Sequence, residues 1–266
     1  MFYFFIIKFV IIKKNKIDTI LYYTTMSHKI HFITYGNNKY EGAINRLIGE
    51  ARNTGWFTTS TPYRPADLSK EFINKYNDIL ALQRGAGYWI WKFDIIKQNL
   101  AKIDNDDFLI YMDAGCSINP NGKKRFNEYI DMLNNSNECI ISFQMDHLEK
   151  TWTTRQIFEH FNLDLNSNYA NSGQIIATAV IMKKTEKLMK IIDECFNVLE
   201  TNKLLFTDHY NRENQESYFR DNRHDQSVFS VIRKIHGSVV LGDETWFVPF
   251  GNQESLQYPF WATRKR

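Results

Sequence analysis

Phe108-Leu109-Ile110-Tyr111-Met112-Asp113-Ala114-Gly115 is the stretch on which the reading of the fold turns. Five apolar or aromatic residues in succession, without the alternation of a half-wet strand, predict a strand covered on both faces, as in a parallel sheet. Asp113-Ala114-Gly115 ends the run, so an aspartate falls at a strand's carboxyl end. In open α/β sheets ligands bind beyond those ends, where loops vary while the sheet stays rigid. Asp113 therefore has two readings: it closes a turn with Gly115, or it faces a ligand.

Upstream, Trp89, Phe93, Ile96, Leu100 and Ile103 recur at helical spacing and predict an amphipathic helix ended by Asp104-Asn105-Asp106. Arg84 and Lys92 flank its start. A cation pair beside the free N–H groups of a helix N-terminus suits a diphosphate, and two solvated charges are the alternative. Earlier still, Ile30 to Tyr35 reads as a strand, Ile44, Leu47, Ile48 and Ala51 as a helix stopped by Gly55, Trp56 to Thr61 as a strand ended by Pro62, and Leu68, Phe72, Ile73 and Tyr76 as another helical face. This β-α-β-α order at parallel-sheet spacing predicts a nucleotide-binding half-domain of the doubly wound type. No Gly-x-Gly-x-x-Gly and no P-loop pattern occurs, so other groups must hold any phosphates.

Downstream, Phe126, Tyr129, Ile130 and Leu133 predict a helix, Cys139 to Phe143 a strand, Thr153-Thr154-Arg155-Gln156 a capping-box-like helix start, and Gln174 to Met182 another strand. Leu188, Ile191, Ile192, Cys195 and Leu199 mark a packing helix. Thr207 to Asn222 is polar and aperiodic, a long loop of the kind that shapes a cleft. It leads into Arg223-His224-Asp225-Gln226-Ser227, just before the apolar positions Val228, Val231, Ile232 and Ile235. Asp225 is either an N-cap or a group that accepts a proton or hydrogen bond from an acceptor, and His224 with Asp113 is a candidate pair for a divalent ion.

With 266 residues, 43% hydrophobic and 24% charged, one domain with a sizeable core is expected. A net charge of +3 with interspersed signs gives no reason to expect nucleic acid; only Arg264-Lys265-Arg266 is a basic cluster. Cys116, Cys139 and Cys195 are odd in number and lack metal or redox spacing, which favours a reducing, cytoplasmic setting. Fourteen tyrosines and six tryptophans exceed what the core requires and suit sugar stacking. Met1 to Ile12 is apolar but interrupted by Lys8, well short of the ~20 residues of a spanning helix, and it lacks signal-peptide features. Residues 1–26 are expected to be a non-core extension, with a membrane-surface anchor as the lesser reading, and residues 27–266 the domain.

Three blocks, Arg84-Gly85-Ala86-Gly87-Tyr88-Trp89-Ile90-Trp91-Lys92, Tyr111-Met112-Asp113-Ala114-Gly115-Cys116 and Arg223-His224-Asp225-Gln226-Ser227, together resemble a family of GT-A-type glycosyltransferases of bacteria and large DNA viruses. The resemblance runs from about Ile30 to Trp261. It implies one GT-A domain with a Rossmann-like, mostly parallel sheet flanked by helices, a donor half over about 27–145 and an acceptor half over about 146–266. It implies transfer from a nucleotide sugar to a hydroxyl of a glycan or glycoconjugate. Arg84, Gly87, Tyr88, Lys92, Asp113, Ala114, Gly115 and Gln226 fall to the donor, and Asp225 and His224 to catalysis. GT-A enzymes commonly carry Asp-x-Asp for Mn²⁺ or Mg²⁺; here Gly115 takes the second position, and Arg84 with Lys92 would neutralise part of the charge instead. Phe93 stands where the family usually has proline.

Two other classes remain open. A metal-dependent phosphohydrolase or nucleotidyltransferase also places an aspartate at a strand end, but wants a second carboxylate nearby. A non-catalytic carbohydrate- or nucleotide-binding protein would keep the aromatics without the phosphate contacts.

Overall fold

The computed structural model describes residues 7–10, 21–24 and 28–266, the first two stretches as backbone only. The strands are β1 Ile7–Val10, β2 Leu21–Thr24, β3 Ile30–Tyr35, β4 Thr59–Tyr63, β5 Phe108–Met112, β6 Ser117–Ile118, β7 Ile140–Leu148, β8 Gly173–Ile175, β9 Ala179–Lys183, β10 Val239–Gly242 and β11 Phe260–Trp261. The helices are α1 Glu41–Thr54, α2 Lys70–Leu80, α3 Gly85–Tyr88, α4 Trp91–Leu100, α5 Lys123–Asn134, α6 Glu149–Trp152, α7 Arg155–His160, α8 Asn168–Asn171, α9 Glu186–Asn202 and α10 Asp225–His236.

Seven strands form the central sheet in the order β10-β7-β9-β5-β3-β4, with β8 on β7. β3 pairs in parallel with β4 and β5, and β10 with β7, whereas β9 runs against both β5 and β7. The expectation of a mostly parallel α/β sheet flanked by helices is borne out. The apolar run of β5 is buried along its whole length because both faces are covered. Phe108, Ile110 and Met112 meet the α1 and α5 side, including Leu47 and Phe126. Leu109 and Tyr111 meet the opposite layer of α2, α4, α9 and α10, including Phe93, Ile192 and Val228.

Several boundaries depart from the sequence reading. Pro62 lies inside β4, where it is tolerated because β4 is an edge strand paired only with β3. The stretch 174–182 is two strands, β8 and β9, separated by Ile176-Ala177-Thr178, and β9 has reversed direction. Thr154 occupies the cap position of α7 without a side-chain bond; Gln215 Oε1 accepts from Arg155 N at 2.9 Å instead, while Thr153 Oγ1 donates to buried Glu149 at 2.6 Å. α10 starts at Asp225 with His224 as its cap, so Asp225 is not the N-cap. The expected extension over residues 1–26 lies largely outside the described residues; within it β1 pairs antiparallel with β2. Among the described residues no helix is long and apolar enough to cross a membrane.

Candidate active site

The segment between α2 and α4 is not a plain helix start. Gly85, Ala86, Gly87, Tyr88 and Trp89 all have positive φ, between 51° and 97°, and form a left-handed turn before α4 begins at Trp91. Glycine is required at 87, where a Cβ would come within 2.8 Å of Leu80 Cα. Trp91 Nε1 donates to Gly85 O at 2.9 Å, and the Trp91 ring stacks on Tyr35 at a centroid distance of 3.7 Å, which ties the turn to the end of β3.

Lys92 follows, 2% exposed, and extends to the carboxyl end of β5. Its ammonium donates to Asp225 Oδ2 and to Ala177 O (2.9 Å), and lies 3.6 Å from Asp113 Oδ1. Tyr111 Oη donates to that same Asp113 oxygen at 2.5 Å, and its ring lies 5.0 Å below Lys92 Nζ. One cation thus joins two carboxylates that are far apart in the chain. Burial works against the Lys92 ammonium, but Asp113 and Asp225 together override it and raise its pKa. Burial pushes the Asp225 carboxyl up to about 6 against the pull of Lys92, and the nearby charge of Asp113 adds to the rise.

The backbone that meets this centre is held by one face of α10. Gln226, Ser230 and Arg233 are spaced four and three residues apart. Gln226 Oε1 accepts from Ala177 N (3.1 Å), Ser230 Oγ accepts from Ile175 N (2.8 Å), and the buried Arg233 Nη2 donates to Ile176 O (2.7 Å). The carbonyls of Ala177 and Thr178 are thereby fixed, the first for Lys92 and the second for Asp113 N at 2.9 Å.

Arg84 belongs to a different group. Its Nη1 donates to both Asp208 oxygens (2.8 and 2.9 Å) and its Nη2 to Asp221 (3.2 Å). Tyr88 Oη and His224 Nε2 also meet Asp208, at 3.0 and 2.8 Å. Burial lowers the His224 pKa. These contacts fasten the loop over 207–224, which has no helix or strand beyond Phe206, to the left-handed turn.

Two clefts open at the strands' carboxyl ends and meet at Trp89, Asp113, Thr178, Ala262 and Arg264. The first, about 640 Å³, is walled by Tyr35, Asn37, Tyr40, Ala114 and Gly115 and by the cations Lys39, Arg264, Lys265 and Arg266. The second, about 890 Å³, holds Arg84, Asp225, Gln226, His224 and two further tryptophans, Trp152 and Trp246. Sequence reasoning missed the destination of the basic tail. β11 pairs with β6, and Lys265 N then donates to Gly115 O at 2.8 Å. A Cβ at 115 would lie 3.3 Å from Arg264 Cα, so the position of a second Asp-x-Asp carboxylate is crossed by the tail.

Some expectations need correction. Lys92 is buried between carboxylates and is not a surface cation paired with Arg84; Arg84 lines the second cleft and not the first. Gly87 and Tyr88, expected at the donor, lie in the left-handed turn, and Tyr88 latches that turn to Asp208. Gln226 braces Ala177 from the second cleft. Asp113 and His224, expected to share a divalent ion, are engaged separately, with Lys92 beside the first and Asp208 on the second. Among the described residues no three His, Cys, Asp or Glu side chains gather as a metal set, so the residues present fit such an ion only through Asp113. The second carboxylate that a phosphohydrolase needs is present in space as Asp225, but Lys92 stands between it and Asp113.

No protein-family model and no curated protein matches the sequence. Among solved structures the chain is similar to a glycosyltransferase involved in the glycosylation of the major capsid of PBCV-1, at 12% identity and a TM-score of 0.49, covering 87% of this chain and 91% of that one. It is similar to mouse xyloside xylosyltransferase 1 at 9% identity and a TM-score of 0.47, covering 90% and 94%. It is also similar to the galactosyltransferase LgtC, at 10% identity and a TM-score of 0.40, covering 86% and 83%.

Proposed function

We propose that this protein is a GT-A-like glycosyltransferase that moves a sugar from a nucleotide sugar to a hydroxyl of a glycan or glycoconjugate. The observation that carries the reading is the meeting of two clefts over the Lys92–Asp113–Asp225 centre at the carboxyl ends of parallel strands. The first cleft takes the donor. Its aromatic wall suits a nucleoside, and Lys39, Arg264, Lys265 and Arg266, which form no ion pair among the described residues, suit a diphosphate. The second takes the acceptor, with Trp89 and Trp246 as platforms for sugar rings.

At the junction the donor's anomeric carbon lies over two carboxylates balanced by one ammonium. That residual negative charge favours the positive charge developing on the sugar as the bond to the diphosphate breaks. The tail cations stabilise the leaving group. Asp225 accepts the proton of the attacking hydroxyl; at about 6 its carboxyl is ionised at neutral pH and is a stronger base than an ordinary aspartate. Asp113, one-third exposed, is the residue that would hold a divalent cation arriving with the diphosphate, and such an ion would neutralise leaving-group charge. A cytoplasmic, reducing setting is part of the proposal, in keeping with three buried, unpaired cysteines.

The test is incubation with a panel of UDP- and GDP-sugars, with and without chelator, while released nucleoside diphosphate is measured. Slow donor hydrolysis is expected. No release and no binding of any donor would leave a binding protein.

A further inference from the structure

Arg223 takes no part in the chemistry above, and its surroundings are unusual for a cation. Its backbone N donates to Trp152 O (3.2 Å) and Ser227 Oγ (3.0 Å), which fixes the residue beside the start of α10. The guanidinium carbon lies 4.0 Å over the Trp152 ring. Only Nη1 has polar partners, both weak: Gln174 Oε1 at a long 3.4 Å, and Met145 Sδ, a poor thioether acceptor, also at 3.4 Å. Among the described residues no carboxylate comes within the 4.0 Å of an ion pair. Burial lowers the Arg223 pKa and the like charge of Arg264 lowers it further, against a smaller opposing pull from Glu149 and Asp221.

The acidic side chains of the same cleft act on Arg223 only from a distance, because each is engaged elsewhere or too far away to pair with it. Asp113 and Asp225 face Lys92, Asp221 is held by Arg84 and Tyr210, and Asp243 accepts from Thr245. Asp146 is exposed and makes no ion pair with Arg223. Among the described residues the Nε and Nη2 edge of this half-buried guanidinium has no protein partner; it lines the cleft near a second cation and is open to an entering anion. That edge is the fork that matches a carboxylate or phosphate in two parallel bonds.

We propose that Arg223, laid flat by Trp152, is an acceptor subsite for a glycan carrying a carboxylate or phosphate group. The inference rests on the transferase reading only in calling the bound glycan an acceptor. The subsite selects among acceptors and touches no reacting atom.

Calorimetric titration of the full chain with tetragalacturonic acid, mannose 6-phosphate and maltotetraose tests it, with UDP and GDP titrated alongside. At least one charged glycan is expected to bind about tenfold or more tighter than maltotetraose, and more weakly as salt rises. The tighter of the two charged glycans identifies carboxylate or phosphate as the preferred group. Arg223→Gln should weaken that binding by about tenfold to a hundredfold with an unchanged melting temperature, and Arg223→Lys should recover part of it. Equal affinity for charged and neutral glycans, no binding of either charged glycan, or an Arg223→Gln protein that still binds them fully would overturn the proposal. So would an Arg223→Gln protein whose UDP or GDP affinity falls as far as its glycan affinity, since the anion would then be the donor's diphosphate. Capture of charged glycans through Arg223 without any nucleotide binding would remove the transferase and leave the subsite standing.

Discussion

Arg84 and Lys92 bracket the same short block and look alike in the sequence, yet they end in opposite surroundings. Lys92 is 2% exposed, bound to two carboxylates and a carbonyl, while the Arg84 side chain is 46% exposed and grips a surface loop. One is the electrostatic keystone of the junction; the other is a latch. Burial separates them: a cation removed from water must have its partners in place, whereas a half-wet one can exchange them for water at little cost.

The largest effect should follow from removing the buried cation. Lys92→Met leaves Asp113 and Asp225 facing one another without their ammonium, and it should abolish transfer and cost about 3–5 kcal/mol of stability. Urea melts and a donor-turnover assay check both, and a stable, active Lys92→Met protein would erase the contrast with Arg84.

Asp225→Asn keeps a hydrogen-bonding group beside Lys92 but removes the proton acceptor, so transfer should fall by about 10²–10⁴-fold. In the unaltered protein the rate should rise with pH through about 6, and the variant should lack that rise. Stability moves in the opposite sense. Because the folded carboxyl has the higher pKa, folding takes up a proton between the ordinary aspartate range and about 6, so this group's stabilisation is full at low pH and lost as pH rises through 6. Melting temperatures of the two proteins across pH 4 to 7 separate this contribution from that of other groups.

The tail cations should come next. Arg264→Ala and Arg266→Ala should each weaken UDP or GDP binding by about tenfold if they meet the diphosphate, the effect of losing one charge-assisted hydrogen bond. Unchanged titrations would return the leaving group to other hands.

Arg84→Ala should do least. It should cost about 1 kcal/mol or less in stability and barely change nucleotide affinity, because it lines only the second cleft. Its effect should be seen in faster hydrogen exchange over 207–224. A large loss of nucleotide affinity would restore Arg84 to the donor and end the distinction drawn here.

How legible these parts were depends on how local their causes are. β5 was readable to the residue because full burial leaves an unbroken apolar run, and β3 because its β-branched and aromatic residues are bounded by the Gly36 turn. The reversal at Ile176-Ala177-Thr178 was not, because it is fixed by Gln226, Ser230 and Arg233 from a helix some fifty residues later. Asp113 and Asp225 were visible as candidates, but Lys92 lies 133 positions from Asp225, and nothing near either residue announces the pair. The basic tail was evident as charge; its arrival at Gly115 needs the β11–β6 pairing, two residues long. Asp208 was hidden in a polar loop with no pattern to mark it.

The left-handed turn has a consequence for chirality itself. Ala86, Tyr88 and Trp89 are L-residues held in a conformation that disfavours them by roughly 1–2 kcal/mol each. The bonds to Leu82, Arg84 and Gly85 and the rings beside His224 must offset that energy. At position 86 the mirror-image amino acid is therefore the one at ease. A protein assembled by chemical ligation with D-alanine there should melt higher than the natural one, whereas inverting a residue inside α4 should lower the melting temperature.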